Sequence, residues 1–274
     1  MPYNQALHPT YNLSELMPTK PTNYRGNDIN YIALTPSSTG LTKHGKGGSR
    51  IVINRVNNIS EKKDGRVDTD KIEFPDELKQ CVDFHGHLCP GLVYGYIVAR
   101  EAVRLLSLHR SEDEEVVAIS ENDSCAVDAL QVVLGTSAGK GNLVINNFGK
   151  NVYTILSRKE GSAFRFSRKT HYCYEGENAA DYEILEKKIA NKTASKEEQK
   201  KHKLMRSLDL LGKNFSDVFT TEEVAPPEQP YAQLAPSAPC FSCGEMTMTT
   251  RLVDMGSQRR YCMPCAQKRG FPVS

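Results

Sequence analysis

Four cysteines near the carboxy-terminal end constrain this 274-residue chain more than any other feature. They form two knuckles, Cys240-x-x-Cys243 and Cys262-x-x-Cys265, with residues 244–261 between them. Each knuckle aims two sulfurs at one point, and the intervening segment is long enough to return as a hairpin, which is what a four-sulfur structural zinc site requires. Gly244 closes the first knuckle and Pro264 lies inside the second. Thr247–Val253 and Arg259–Tyr261 read as short strands, with Asp254-Met255-Gly256-Ser257 as the turn. A module this small has little core of its own, so metal binding would supply most of its folding free energy. Arg251, Arg259, Arg260, Lys268 and Arg269 outweigh Asp254 and give it a basic face. Contact with nucleic acid or an acidic partner is a reading that face allows, although a charge excess of this size is more often a solvated surface.

A second concentration of chemistry lies in Phe84-His85-Gly86-His87-Leu88-Cys89-Pro90-Gly91. Pro90 suits the first position of a helix, because its fixed φ is helical and its missing N–H would lack an intrahelical partner. Leu92, Tyr96, Ala99, Val103 and Leu106 then recur at helical spacing on one face. Cys89 falls at the helix start, where the positive end of the macrodipole favours thiolate over thiol. Downstream, Val116–Ile119 reads as a buried strand ending at Glu121-Asn122-Asp123-Ser124-Cys125. Ala126, Leu130 and Val133 up to Gly135 read as a short glycine-closed helix, so Cys125 also sits in a first helical turn. If the two helix starts face each other, His85, His87, Cys89 and Cys125 surround one volume as a mixed N/S set suited to zinc or a similar divalent metal. Taken alone, Cys125 is as well explained as a small apolar filler; the clustering of His85, His87 and Cys89 argues for a site.

The composition, 39% hydrophobic and 25% charged with net charge +2, is that of an ordinary soluble protein. No apolar run is long enough to cross a membrane and the first thirty residues lack a signal-peptide core, so a reducing cytoplasm is the expected compartment for these thiols. Residues 1 to about 48 are rich in Pro, Asn, Thr, Ser and Gly, and residues 1–74 read as an extended or disordered extension, with Ile51–Val56 undecided between strand and helix turn. Gly139-Lys140-Gly141-Asn142 reads as a tight turn, suited to an anionic ligand or simply to strand entry at Leu143–Phe148. Val152–Ser157 and Ala163–Arg168 read as paired strands with Phe164 and Phe166 on one face. Asn178–Ala190 and the capping box at Ser195-Lys196-Glu197-Glu198 predict two helices, the second stopping at Gly212. Prolines from Pro226 to Pro239 predict a stiff linker that lets the zinc module reach away. Cys81 and Cys173 read as structural. The expected fold is α+β: residues 75–222 as a mostly antiparallel sheet covered by helices, 223–239 as linker, and 240–274 as a four-cysteine ribbon.

The segments His85–Leu92, Glu121–Ala129 and Gly139–Leu143 resemble the FmdE/FwdE family, named for a component of formylmethanofuran dehydrogenase, over about residues 75–220. The resemblance implies an α+β core, a homodimer, a His/Cys cavity able to hold a metal, and a separate structural zinc. It also implies an accessory place beside molybdenum or tungsten enzymes of one-carbon metabolism. By motif, His85, His87, Cys89 and Cys125 are the cavity candidates, His85 or His87 joining Cys89 and Cys125 on a second divalent metal such as zinc or nickel, with Cys125, Cys89 and His87 as the reactive groups. Asp128 and Lys140 are supporting, cofactor-binding groups. Members often carry a further cysteine where this chain has Gly135-Thr136-Ser137. The competing readings are a ribbon adaptor for nucleic acid or a partner enzyme, and thiol redox chemistry between Cys89 and Cys125.

Overall fold

The computed structural model describes residues 74–256 and 259–272, so the readings for residues 1–73, including Ile51–Val56, lie outside the described residues. The core is α+β. Helices α1 (Asp76–His85), α2 (Pro90–Leu106) and α3 (Ala126–Leu134) pack with α5 (Lys196–Gly212) on one face of a five-stranded sheet. The strands are β1 (Val116–Ser120), β2 (Leu143–Ile145), β3 (Val152–Ser157), β4 (Ser162–Arg168) and β5 (Phe219–Val224), in the order β2-β1-β3-β4-β5. Pairing is antiparallel except between β1 and β2, which are parallel because α3 carries the chain back across between them. The expected mostly antiparallel α+β fold is therefore what is found, with one parallel pair added.

α2 is buried on nearly every side: beside the predicted Leu92, Tyr96, Ala99 and Leu106, the residues Val93, Tyr94, Gly95, Ile97, Val98 and Ala102 are also enclosed. The sequence period predicts only an amphipathic stripe. α1, α3, α5 and the sheet surround the helix instead, and its apolar circumference is what permits that position. The inner sheet face contributes Val116, Ala118, Tyr153, Ile155, Phe166 and Phe219 to one cluster, with Phe164 beside Phe166 as predicted. Because strand side chains alternate, Val117, Ile119, Leu156 and Ala163 form a second buried cluster on the opposite face.

Local chemistry fixes the boundaries. Cys89 is the N-cap of α2, with Pro90 first inside it. Gly135 ends α3 at φ +72, and the Ser195/Glu198 capping box starts α5. α4 (Ala179–Ala190) lies against α5 through Tyr182, Leu185 and Met205. A short α6 (Phe215–Val218) leads into β5, whose exposed Thr-Thr-Glu-Glu run leaves no alternation to read.

Beyond β5 the chain lies on the core rather than reaching away. Arg158 donates from its Nη1 to the Gln229 carbonyl at 2.7 Å, its guanidinium covers the Tyr231 ring at 4.0 Å, and the Glu114 carboxylate accepts from the Ala232 N–H at 3.1 Å. The carboxy-terminal module pairs β6 (Ser237–Pro239) with β7 (Met246–Met248), and β8 (Leu252–Asp254) with β9 (Arg260–Cys262), followed by α7 (Met263–Gln267). The predicted strand Thr247–Val253 is broken by a 3-10 turn at Thr249–Arg251.

Candidate metal centre

Three helix ends converge on one point in the core. His85 is the last residue of α1, which Gly86 terminates in the left-handed region at φ +90. Cys89 caps α2 and Cys125 precedes α3. One ligand atom from each of His85, Cys89 and Cys125 lies within 4.8 Å of the other two. The convergence depends on two glycines of α2. A Cβ at Gly95 would stand 2.1 Å from the Ala126 carbonyl oxygen, and one at Gly91 would stand 3.1 Å from Cys125 Cβ. Only a bare α-carbon lets the two helix starts approach this closely. Sequence reasoning misses Gly91 and Gly95, four apart inside a helix; their spacing in an otherwise good helix former is the signal that marks them.

The imidazole of His85 is oriented from behind. Its Nδ1 lies 2.6 Å from Asp128 Oδ2, and Gln131 Nε2 donates to the other carboxylate oxygen at 3.3 Å. A carboxylate there fixes the proton on Nδ1 and leaves Nε2 as the free donor atom, which faces Cys89 Sγ at 3.6 Å. Leu92 N–H donates to Cys89 Sγ at 3.4 Å, the N-cap bond that a thiolate accepts best. Cys125 behaves differently from the helix-start expectation. Burial first, and then the neighbouring Cys89 sulfur, push its thiol up rather than down. Two sulfurs at close quarters in a partly dry site disfavour a second negative charge until a cation joins them.

Of the sequence-derived ligands, His85, Cys89 and Cys125 come together, and Asp128 joins them as a supporting group. His87 does not enter the donor set. Its exposed ring lies tilted beside His85 at 4.6 Å between centroids, and burial, then the charges of His85 and Lys203, hold it below the usual imidazole value. Lys140 lies elsewhere: its ammonium donates to the Ser111 and Glu112 carbonyls at 3.0 and 3.3 Å. That places it past the far end of α3, about 13 Å along the helix from Cys125. Asn142 completes this clasp by donating to Asp113 and Val116 carbonyls at 2.9 Å. The turn thus pins strand entry, and the anionic-ligand role expected for Lys140 finds no geometry here. Thr136 is buried at the same far end, donating to the Leu130 carbonyl, so a sulfur at that position would not reach the three donors. Cys81 is wholly enclosed between helices, and burial pushes its thiol up to about 12.

In the ribbon, ligand atoms of Cys240, Cys243, Cys262 and Cys265 all lie within 4.8 Å of one another. Backbone amides point at the sulfurs: Ser242 and Cys262 N–H donate to Cys240 Sγ at 3.4 and 3.2 Å. Burial opposes ionisation of Cys240, but the N–H groups of Cys243, Cys262 and Ser242 outweigh it and bring the thiol down to about 6. Both clusters have the donor chemistry to hold a metal ion. They differ in count: four sulfurs close a tetrahedron, whereas two sulfurs and one imidazole leave a position open.

An α+β core with a partly buried His/Cys cluster able to hold a metal, followed by a four-cysteine ribbon, defines the class. Residues 84–221 match a family described as "FmdE, Molybdenum formylmethanofuran dehydrogenase operon", and the chain belongs to that family. A "Probable S-adenosyl-L-methionine-binding protein" of Archaeoglobus fulgidus is 28% identical over 199 residues, 69% of this chain and 52% of that protein. The chain therefore spans about half the length of the curated relative it matches. A crystallised FmdE-like protein of the tungsten formylmethanofuran dehydrogenase type, from Syntrophus aciditrophicus, aligns over 73% of this chain and 94% of its own, at 16% identity and a TM-score of 0.44. Among the described residues no helix is long and apolar enough to cross a membrane.

Proposed function

We propose that this FmdE-family chain carries a reactive divalent metal on His85 Nε2, Cys89 Sγ and Cys125 Sγ, and a structural zinc in the ribbon. We place it as an accessory of formylmethanofuran dehydrogenase-type one-carbon metabolism, acting as a homodimer in the cytoplasm. The observation that carries the reading is the three-donor cluster with Asp128 behind its imidazole. When bound, an ion with three protein ligands supplies a Lewis-acidic fourth position, able to lower the pKa of water or polarise a carbonyl.

The chain's own groups have distinct tasks in this scheme. Asp128 holds the His85 proton on Nδ1, so Nε2 remains a donor atom. The Leu92 N–H stabilises charge on Cys89. His87, exposed beside His85 and held below the usual imidazole value, is the group we offer for proton uptake near the site. Metal analysis of the purified full chain is the test. Wild type should hold two metal equivalents per chain, and Cys125→Ala should hold one while the ribbon keeps its own. Unchanged stoichiometry in Cys125→Ala would end the proposal. A reversible Cys89–Cys125 disulfide with no core metal would replace it with thiol redox chemistry.

A second reading is favoured by the ribbon surface, where the exposed Phe241 ring lies beside the Arg259 guanidinium at 4.8 Å. Basic groups on aromatic faces suit nucleic-acid stacking, and a steep salt dependence of RNA or DNA binding would support an adaptor role.

A further inference from the structure

The three core donors are aimed by different means. Asp128 stands behind the His85 imidazole, and the Leu92 N–H reaches Cys89 Sγ. Cys125 occupies the N-cap position of α3 yet makes no side-chain cap bond, and its Sγ is one of the converging donor atoms instead. The turn that carries it is closed by short-range bonds, from the Val127 N–H to the Ser124 carbonyl at 3.0 Å and from the Asp128 N–H to the Cys125 carbonyl at 3.3 Å. Such bonds shape the turn without fixing where it stands on the sheet. Apolar packing of Ala126, Ala129 and Leu130 holds the body of α3, but burial is not directional.

The directional tie runs through Asn122, buried two residues past the end of β1. Its Oδ1 accepts from the Ser124 N–H at 3.1 Å and from the Ser124 hydroxyl at 2.6 Å. Its Nδ2 donates to the Lys150 carbonyl at 2.6 Å and to the hydroxyl of Tyr153, a wholly buried residue of β3, at 3.3 Å. That uses every hydrogen-bonding position a side-chain amide has. The Ser120 hydroxyl donates to the Asn122 carbonyl at 2.6 Å, so the main chain is held to β1 as well. A carboxylate in this place would set its charge against the Lys150 carbonyl, and an apolar side chain would leave the Ser124 N–H without this acceptor.

We propose that Asn122 is a positioning residue for Cys125. One end of its amide holds β3 and the other holds the residue before the cysteine, so the Cys125 sulfur is set relative to the sheet rather than left to α3 alone. This role builds on the three-donor metal site proposed above. None of the hydrogen bonds of Asn122 goes to a donor atom, and it acts through Ser124. The same turn has a second tie, from Asn147 Nδ2 to Asp123 Oδ2 at 2.8 Å, but both partners are exposed and water can replace that bond.

Chelator competition on the full chain tests this, read beside the absorption of Co(II) taken up at the core. Asn122→Ala should weaken the core site at least tenfold and lower its sulfur-to-cobalt charge-transfer band, while the ribbon's affinity stays as in wild type. Ser124→Ala, which removes one bond on the exposed side, should weaken it about threefold. Asn147→Ala should change nothing. A residue that served folding alone would lower the melting temperature and leave the affinity and the band of the folded chain as they were; that result overturns the proposal. Should Asn122→Ala not fold, an unchanged core site in Ser124→Ala overturns it equally. Wild type that holds metal only in the ribbon would instead fail the metal reading. The placement of Cys125 is then read in that chain as purified, by equilibration with glutathione disulfide. Cys89 and Cys125 each give up a proton and together two electrons, one S–S bond forms between them, and two glutathione thiols are released. A constant for that exchange at least tenfold lower in Asn122→Ala than in wild type would uphold the role of Asn122, and an equal or higher one would overturn it.

Discussion

The core cluster and the ribbon cluster hold similar ligands in opposite ways. In the core, His85, Cys89 and Cys125 are brought in by three helices that belong to a much larger buried apolar cluster, of which Cys89 is only one member. In the ribbon, the buried cluster is built largely from the ligands themselves: Cys240, Cys262 and Cys265 with Tyr261 and Ala266. The core has packing of its own behind its donors; the ribbon has little besides its four sulfurs, and would lean on an ion held by them. Ligand identity alone therefore does not reveal whether an ion serves chemistry or folding, and the apolar mass behind the ligands does.

The sharpest way to break this contrast is to strip both sites with a strong chelator. The ribbon should unfold outright, since apparent metal-binding energies of about 10–16 kcal/mol carry the folding of such modules, while hydrogen exchange should show the core sheet still protected. Ribbon amides that stay protected without metal would erase the distinction. Next in size is Gly95→Ala, which forces a methyl against the Ala126 carbonyl. Urea unfolding should show a loss of about 3 kcal/mol or more, and core metal should be lost with it. Gly139→Ala, where a Cβ meets nothing within 4 Å, should be neutral in both measurements.

A smaller change sharpens the comparison further. Asp128→Asn removes the carboxylate behind His85 and should weaken core metal about 10- to 100-fold in a competition titration with a chromophoric chelator, leaving the ribbon's affinity as it was. The smallest effect separates fold from metal altogether. His202, stacked on Tyr182 at 4.7 Å, is held below imidazole's ordinary 6.5 by burial, with Glu186 opposing and Arg206 adding. The unfolded chain then takes up this proton first, so the contribution is full above pH 6.5 and declines as pH falls below it. His202→Gln should flatten that slope in metal-free protein, as read by thermal melts at stepped pH.

Legibility in the sequence follows how local each signal is. Pro90, Gly135 and the Ser195/Glu198 box announce helix ends through bonds made within a few residues, and those ends fall where expected. The knuckles are equally local. α1 escapes a reading from the sequence because only Leu78 and Cys81 are buried in it, too few for a period, although it delivers His85. β5 escapes because it is an edge strand whose pairing with β4 is the only thing that makes it extended. Lys140 misleads because Gly-Lys-Gly describes a tight turn without saying what the ammonium reaches, and it reaches carbonyls twenty-eight and twenty-nine residues earlier. The choice of His85 over His87 depends on Asp128, forty-three residues away, which no local pattern contains.

Gly95 has a consequence for how this chemistry can drift over evolutionary time. With no side chain to trim, the contact between the helices offers no gradual path: every single-base replacement there adds atoms and wedges the sulfurs apart. The spacing of the donors is thus guarded by a residue that is not one of them, and a lineage that lost the glycine would be expected to lose the donor geometry while both cysteines were still in place.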